Sequence, residues 1–204
     1  MNPALRFLSA AALAFASVAS FASTTTYTSS ATFLSNVAPG AYLESFDGLS
    51  NPPPGPAPFS GGGFAYSAAA PSDIYLEGGF LGAAQIDEAL TITFTSGNVK
   101  AIGANFFATD INDDFQSVRV VITLGDGTIE DFTPSSIADS YRGFISTSFI
   151  TSLVISGPGA SLYAGLDNLT VGTAGRIIDV PEPTSALLVG LGMAGLLISR
   201  RRNA

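Results

Sequence analysis

The sequence contains no cysteine, no histidine and no tryptophan. Without cysteine there is no disulfide framework, no thiolate metal site and no thiol nucleophile. Without histidine there is no Ser-His-Asp triad, no imidazole acid/base and no His-ligated zinc. The absence of tryptophan removes the strongest platform for stacking a sugar or caging a cation. Charge is also scarce. Only 12% of the 204 residues are charged, 8 basic against 16 acidic, for a net of −8. An acidic balance disfavours nucleic acid, whose phosphates call for a basic face. What is abundant is apolar: 47% of residues are hydrophobic, with 22 glycines and 12 prolines. That suffices for a packed core and argues against intrinsic disorder.

The apolar residues are unevenly distributed. At the N-terminus Arg6 precedes an apolar run over 7–18, and Ser20 and Ala22 place small residues at the −3 and −1 positions of a cleavage site. This pattern predicts a secretory signal peptide over 1–22, cut after Ala22 and read by the Sec export machinery. At the C-terminus Val180-Pro181-Glu182-Pro183 leads into an apolar run over 186–198 and then Arg200-Arg201-Arg202. Thirteen helical residues span about 20 Å, short of the ~30 Å bilayer core. The expected transmembrane helix, 185–199, is therefore a short anchor. The arginines would stop it on the cytoplasmic side. The two prolines keep its approach extended.

Between these ends, residues 23–178 hold Lys100, Arg119, Arg142 and Arg176 against fourteen acids, a net of −10. Period-two alternation predicts strands over 90–95, 118–124 and 128–133, the last two joined by a turn at Gly125-Asp126-Gly127. Further strands are expected over 149–156 and 162–171, with weaker ones over 42–46, 63–67, 74–77, 100–108 and 142–146. In the strand 149–156, Phe149, Thr151, Leu153 and Ile155 share a face. One short helix is predicted over 31–37, capped by Ser29 or Ser30, with Ala31, Leu34 and Val37 on its buried face. The segment 51–63, with five prolines and four glycines, reads as a surface loop. The expected fold is all-β: a jelly-roll-like antiparallel β-sandwich of about ten short strands.

Three features invite a chemical reading. Asp167, on the face of Leu169 and Val171, is expected to point toward the core at a sheet edge, where a carboxylate must be paired, hydrogen-bonded or metal-bound. With Asp47 and Glu44 on a neighbouring early strand it could ligate Ca²⁺. The alternative is that Asp167 and Asn168 organise a turn or bulge through backbone hydrogen bonds. Asp110, Asn112 and Asp114 match the first half of an EF-hand loop, but Phe115 stands in the glycine position and Val121 in that of the bidentate Glu. An EF-hand is excluded, leaving a loose Ca²⁺ loop or a solvated turn. Tyr27, Tyr42, Tyr66, Tyr75, Tyr141 and Tyr163 are the rings available for sugar stacking, against ordinary strand packing. No GxSxG, phosphate loop or local carboxylate pair marks an enzyme.

The C-terminal unit closely resembles the PEP-CTERM sorting signal of exported Gram-negative proteins, through Pro181-Glu182-Pro183, the apolar run and Arg200-Arg201-Arg202. The body resembles, more loosely, a PEP-CTERM passenger domain through residues 43–49, 102–107, 141–146, 150–153 and 165–172. The resemblance implies three parts: a signal peptide (1–22), an extracytoplasmic jelly-roll domain (23–178) and a sorting signal (179–204). It implies recognition by an exosortase, transient anchoring in the inner membrane, and delivery to the cell surface or matrix, where exopolysaccharide is an expected partner. Three readings are carried forward: a non-catalytic surface or biofilm-matrix protein, a Ca²⁺-dependent carbohydrate-binding module, and a hydrolase with dispersed carboxylates. Nucleic acid is not an expected partner.

Overall fold

A computed structural model describes residues 23–52 and 54–175. The expected signal peptide, its cleavage site at Ala22, the span 185–199, the Pro-Glu-Pro motif and the terminal arginines lie outside the described residues. Among those described, no helix is long and apolar enough to cross a membrane.

Among the described residues fourteen strands run in chain order: β1 (Thr24–Tyr27), β2 (Tyr42–Glu44), β3 (Ala57–Gly61), β4 (Phe64–Ala69), β5 (Ile74–Tyr75), β6 (Leu81–Ala83), β7 (Leu90–Phe94), β8 (Ala101–Thr109), β9 (Phe115–Gln116), β10 (Val120–Leu124), β11 (Ile129–Phe132), β12 (Tyr141–Ser146), β13 (Ser152–Ile155) and β14 (Tyr163–Gly172). Among the described residues one helix, α1 (Ser30–Ser35), follows β1, and a single 3₁₀ turn (Ala138–Ser140) precedes β12. The larger sheet has the order β1-β12-β8-β14-β6-β5, with β2 also paired to β14 and β9 to β8. The smaller has the order β11-β10-β13-β7-β4-β3. Both are antiparallel throughout.

Alternation places the core between the sheets. In β7, Leu90, Ile92 and Phe94 are buried while Thr91 and Thr93 are not. Each such side chain contributes about 1.5–3 kcal/mol on burial. From the larger sheet Ile102, Ala104, Phe106, Phe144, Leu166, Leu169 and Val171 meet Leu90, Ile92, Ile122, Leu153 and Ile155 of the smaller. Arg142 ties one edge. Its Nε donates to Glu130 Oε1 on β11 at 3.0 Å, and its guanidinium lies 3.6 Å from the centre of the Phe132 ring.

Four expectations need correction. First, the proline-rich segment is not all loop. β3 pairs with β4 through Ala57↔Ala68 to Gly61↔Phe64. It is the outermost strand of its sheet, where Pro58 interrupts no ladder on its free side. Second, α1 buries Phe33, while Leu34 is 51% exposed. The sheet decides this. Phe33 lies over Gly103 and Gly143, which oppose each other on β8 and β12. Ser29 stands at the N-cap without a side-chain bond to the helix. Third, β13 begins only at Ser152, and Phe149 is 56% exposed beneath the Lys100 ammonium. Fourth, Asp167 does not share a face with Leu169. β14 carries an extra residue between Asp167↔Asn105 and Thr170↔Gly103, with Asn168 at φ 54°. This bulge returns Leu169 and Val171 to the core and leaves Asp167 on the outer face.

Candidate functional site

The outer face of the larger sheet is floored by glycine. Gly82 on β6 opposes Gly165 on β14, and the Phe80 ring lies over both. A Cβ at either position would stand 3.1 Å or 3.3 Å from that ring. Phe80 packs edge-on against Phe107 at 5.4 Å and tilted against Tyr75 at 5.5 Å. It reaches this place through the turn Gly78-Gly79, whose residues have φ of 148° and 75°. The bare turn also admits two carboxylates: a Cβ on Gly78 would meet Asp113 Oδ2 at 3.2 Å, and one on Gly79 would meet Asp47 Oδ1 at 3.1 Å.

Two clefts flank Phe80. One, of about 230 Å³, is lined by Tyr75, Phe80, Tyr163, Thr109, Asp110 and Asp113 among others. The other, of about 300 Å³, is lined by Phe107, Phe115, Asp113, Asp114 and Asp167 with the two glycines. The Tyr75 hydroxyl donates to Asp113 Oδ2 at 2.7 Å. That bond to a carboxylate, more than burial, pushes the phenol up to about 12, so it stays a donor at neutral pH. The arrangement offers aromatic faces beside hydroxyl and carboxylate groups, the surface chemistry that holds polar, partly apolar ligands such as sugars.

The sequence-selected acids divide. Asp47 sits in the turn after β2, and β2 is hydrogen-bonded to β14, so the early and late strands are neighbours. Burial raises the Asp167 carboxyl, and Asp47 raises it further. Asp167 is also committed locally: Oδ1 accepts the Asn168 N–H at 2.6 Å and Oδ2 accepts Asn168 Nδ2 at 2.7 Å. This is the bulge-organising arrangement. Glu44 accepts from the Tyr42 hydroxyl and from the Phe46 N–H.

In the acidic run, Asp110 Oδ1 accepts the N–H groups of Asn112 and Asp114, and Oδ2 accepts Gln116 Nε2. Asp110 thus closes its own turn while Asn112 and Asp114 are exposed. Asp113, which the EF-hand spacing passes over, is the member that reaches Tyr75. Among the described residues no group of three or more acidic, histidine or cysteine side chains is placed to hold a metal ion.

The tyrosines divide as well. Tyr27 and Tyr141 pack on Phe33. Tyr42 and Tyr66 pack together beside Phe59. Only Tyr75 and Tyr163 line the acidic cleft. Phe80 had one signal in the sequence, the preceding Gly78-Gly79, which marks a turn but not what the ring covers.

The described residues form a two-sheet β-sandwich, and in the sequence a C-terminal sorting signal that implies export follows it. That signal is the PEP-CTERM protein-sorting motif, whose family model matches residues 179–202. The motif implies an exosortase as processing partner. No curated protein matches the chain. Similar solved structures include the Podospora anserina GH26-CBM35 β-(1,4)-mannanase (12% identity, TM-score 0.30, covering 78% of this chain and 28% of that one). Another is the exo-β-1,3-galactanase of Phanerochaete chrysosporium with β-1,3-galactotriose (19%, 0.28, 64% and 28%). A third is the Agl-KA catalytic domain (15%, 0.28, 78% and 29%). The match covers less than a third of each of those chains.

Proposed function

We propose that this chain is a surface or extracellular-matrix protein of a Gram-negative bacterium. Its jelly-roll-like domain is exported by a cleaved signal peptide, held transiently in the inner membrane by the segment 185–199, and freed by exosortase action at the Pro181-Glu182-Pro183 hinge. It has no catalytic role of its own, and exopolysaccharide or biofilm matrix is its setting. The observation that carries this reading is the sorting motif over residues 179–202. The lack of histidine and cysteine supports the non-catalytic part. Mass spectrometry of the mature protein from its native host tests it. A C-terminus within residues 180–185 is expected, and a mature product that retains Arg202 overturns the exosortase step.

A second reading, Ca²⁺-dependent carbohydrate binding, is favoured by the cleft in which Tyr75 and Tyr163 stand beside Asp113. Its metal part rests on Asp47 and Asp167, near enough that the charge of one raises the carboxyl of the other. Calorimetry with Ca²⁺, followed by pull-down on matrix polysaccharide with and without chelator, tests it. Absence of Ca²⁺ heat removes the metal. Absence of retention removes the glycan.

A further inference from the structure

The open edge of β1 differs from the other sheet edges among the described residues. We propose that it pairs with the β1 of a second copy, forming a two-fold antiparallel dimer that joins the two larger sheets. This goes beyond the readings above: it concerns an edge that neither the sorting signal nor the acidic cleft uses.

β1 is the outermost strand of the larger sheet and is bonded to β12 alone. Just before it, the Thr147 N–H donates to the Ser23 carbonyl at 3.0 Å. Bonded pairs alternate along an antiparallel ladder. Thr25 and Tyr27 therefore bond β12, and Thr24 and Thr26 turn their N–H and C=O groups outward. Among the described residues those groups have no other partner, and Thr25 and Thr26 are exposed.

An open row of backbone groups is a template for a further strand, and proteins blunt it with charge, proline or brevity. The other edges carry such devices. β3 holds Pro58, β11 holds Glu130 and Asp131, and β2 ends on Glu44. β5 is two residues long between Asp73 and Glu77, and β9 is two residues long after Asp113-Asp114. β1 reads Thr-Thr-Thr-Tyr, residue types that favour strands. No charged residue occurs from Ser23 to Leu43.

Charge selects a second copy as the occupant. The domain is strongly acidic, so two copies repel over most of their surfaces. Thr24 Oγ1 donates to Asp126 Oδ2 at 2.7 Å, and Arg142 of β12 bonds Glu130 of β11. The β10–β11 hairpin thus lies along the β1 flank. All three described cations are on this flank: Arg119 pairs with Asp131, Arg142 with Glu130, and Lys100 holds the Thr147 carbonyl. Asp126 and Asp139 bring the flank to −1, and the other ten described acids lie elsewhere. Two copies meet their least repulsion here. Pairing centred on Thr26 sets Thr26 against its own counterpart, Thr25 against Tyr27 and Thr24 against Thr28. Opposed β-branched and aromatic pairs of this kind stabilise a ladder. The two Thr24–Asp126 contacts then stand about 13 Å apart along the strands, beyond the ~8 Å screening length at physiological salt.

The test uses the protein purified from its native host, followed by sedimentation velocity from about 1 μM to about 1 mM, the span of weak association. The weight-average mass should rise with concentration toward that of a dimer. Added NaCl should strengthen the dimer by screening the residual repulsion. Thr26→Pro deletes an outward N–H that β12 does not use and should weaken dimerisation at least tenfold. Thr26→Lys and Thr26→Glu should each do the same, and their equimolar mixture should dimerise again. That pair carries the test if Thr26→Pro misfolds. The chain has no cysteine, so Thr26→Cys gives a single reporter. Opposed Cα atoms about 5.5 Å apart suit a disulfide, and under a thiol oxidant this variant should cross-link at least tenfold faster than Ile111→Cys, which is exposed at the acidic cleft. A mass independent of concentration overturns the proposal. So does a dimer that Thr26→Lys leaves unchanged, a dimer that salt dissolves, or association through Thr26 with a different polypeptide only.

Discussion

The Phe33 ring rests on Gly143, where a Cβ would stand 2.5 Å from Phe33 Cδ2, closer than side chains pack. Phe33 is fully buried and forms the centre of a small cluster with Ala101, Tyr141 and Ile145. Phe33→Ala should cost about 3–5 kcal/mol in urea unfolding. Gly143→Ala should cost about 1–3 kcal/mol through overpacking. Because both act on one contact, the double variant should be far less destabilised than the sum. Strict additivity would show that the ring does not sit on the glycine.

Arg142 joins the two sheets through Glu130 and Phe132, and its Nη1 also donates to the Tyr141 and Asp139 carbonyls. Lysine has neither the fork nor the planar face for this site. Arg142→Lys should cost about 1–3 kcal/mol. Glu130→Ala should cost more than Glu130→Gln, which retains an acceptor. Denaturant midpoints of the three variants check the order.

Much of this arrangement follows from local patterning, and the exceptions have definite causes. β7 alternates threonine with Leu90, Ile92 and Phe94, and each residue faces as its type requires. The sorting motif is equally plain because it is a linear signal. Strict alternation puts Asp167 on the face of Leu169, but one bulged residue reverses every side chain before it, and a bulge leaves no period to read. The buried face of α1 was missed because Gly103 and Gly143, some 70 and 110 residues away, select Phe33. The clefts were invisible for the same reason: Tyr75, Asp113 and Tyr163 meet only after three distant segments pair.

The pH profile should contain opposing contributions. Asp139 is held low by the Ser135 N–H and hydroxyl, and Asp131 by the Arg119 guanidinium. Burial raises Asp126, but the Thr128 N–H and Thr24 hydroxyl among its bonds outweigh it and leave the group low. For a lowered acid the folded state binds fewer protons, so its stabilisation is present above the unfolded pKa of about 4 and is lost as pH falls through the folded value. Asp167 is raised, so its sign is opposite: stability falls as pH rises from the unfolded value through the folded one. Relative to the parent, Asp167→Asn should therefore gain Tm between pH 4 and pH 7. A difference independent of pH would contradict the raised carboxyl.

Phe80 separates the two clefts near Asp113 and is 7% exposed. Phe80→Ala should cost about 3 kcal/mol and join the clefts across the Gly82–Gly165 floor. Phe80→Leu should cost less. Tyr75→Phe, which removes one exposed bond to Asp113, should change stability by less than about 1 kcal/mol. Thermal and urea melts of the three variants check this ranking.

The position of β14 has a mechanical consequence. This ten-residue strand lies inside the larger sheet, hydrogen-bonded to β8 on one side and to β2 and β6 on the other. Just beyond it Ala174 bridges to Val37, and the Gly175 N–H bonds the Asn36 carbonyl. Tension applied from the sorting segment reaches these two clips first and then loads β14 along its own axis. The ladders on both sides must then shear together instead of opening one bond at a time. Any pull on this end of the domain thus falls on a strand with three hydrogen-bonded neighbours rather than on a sheet edge.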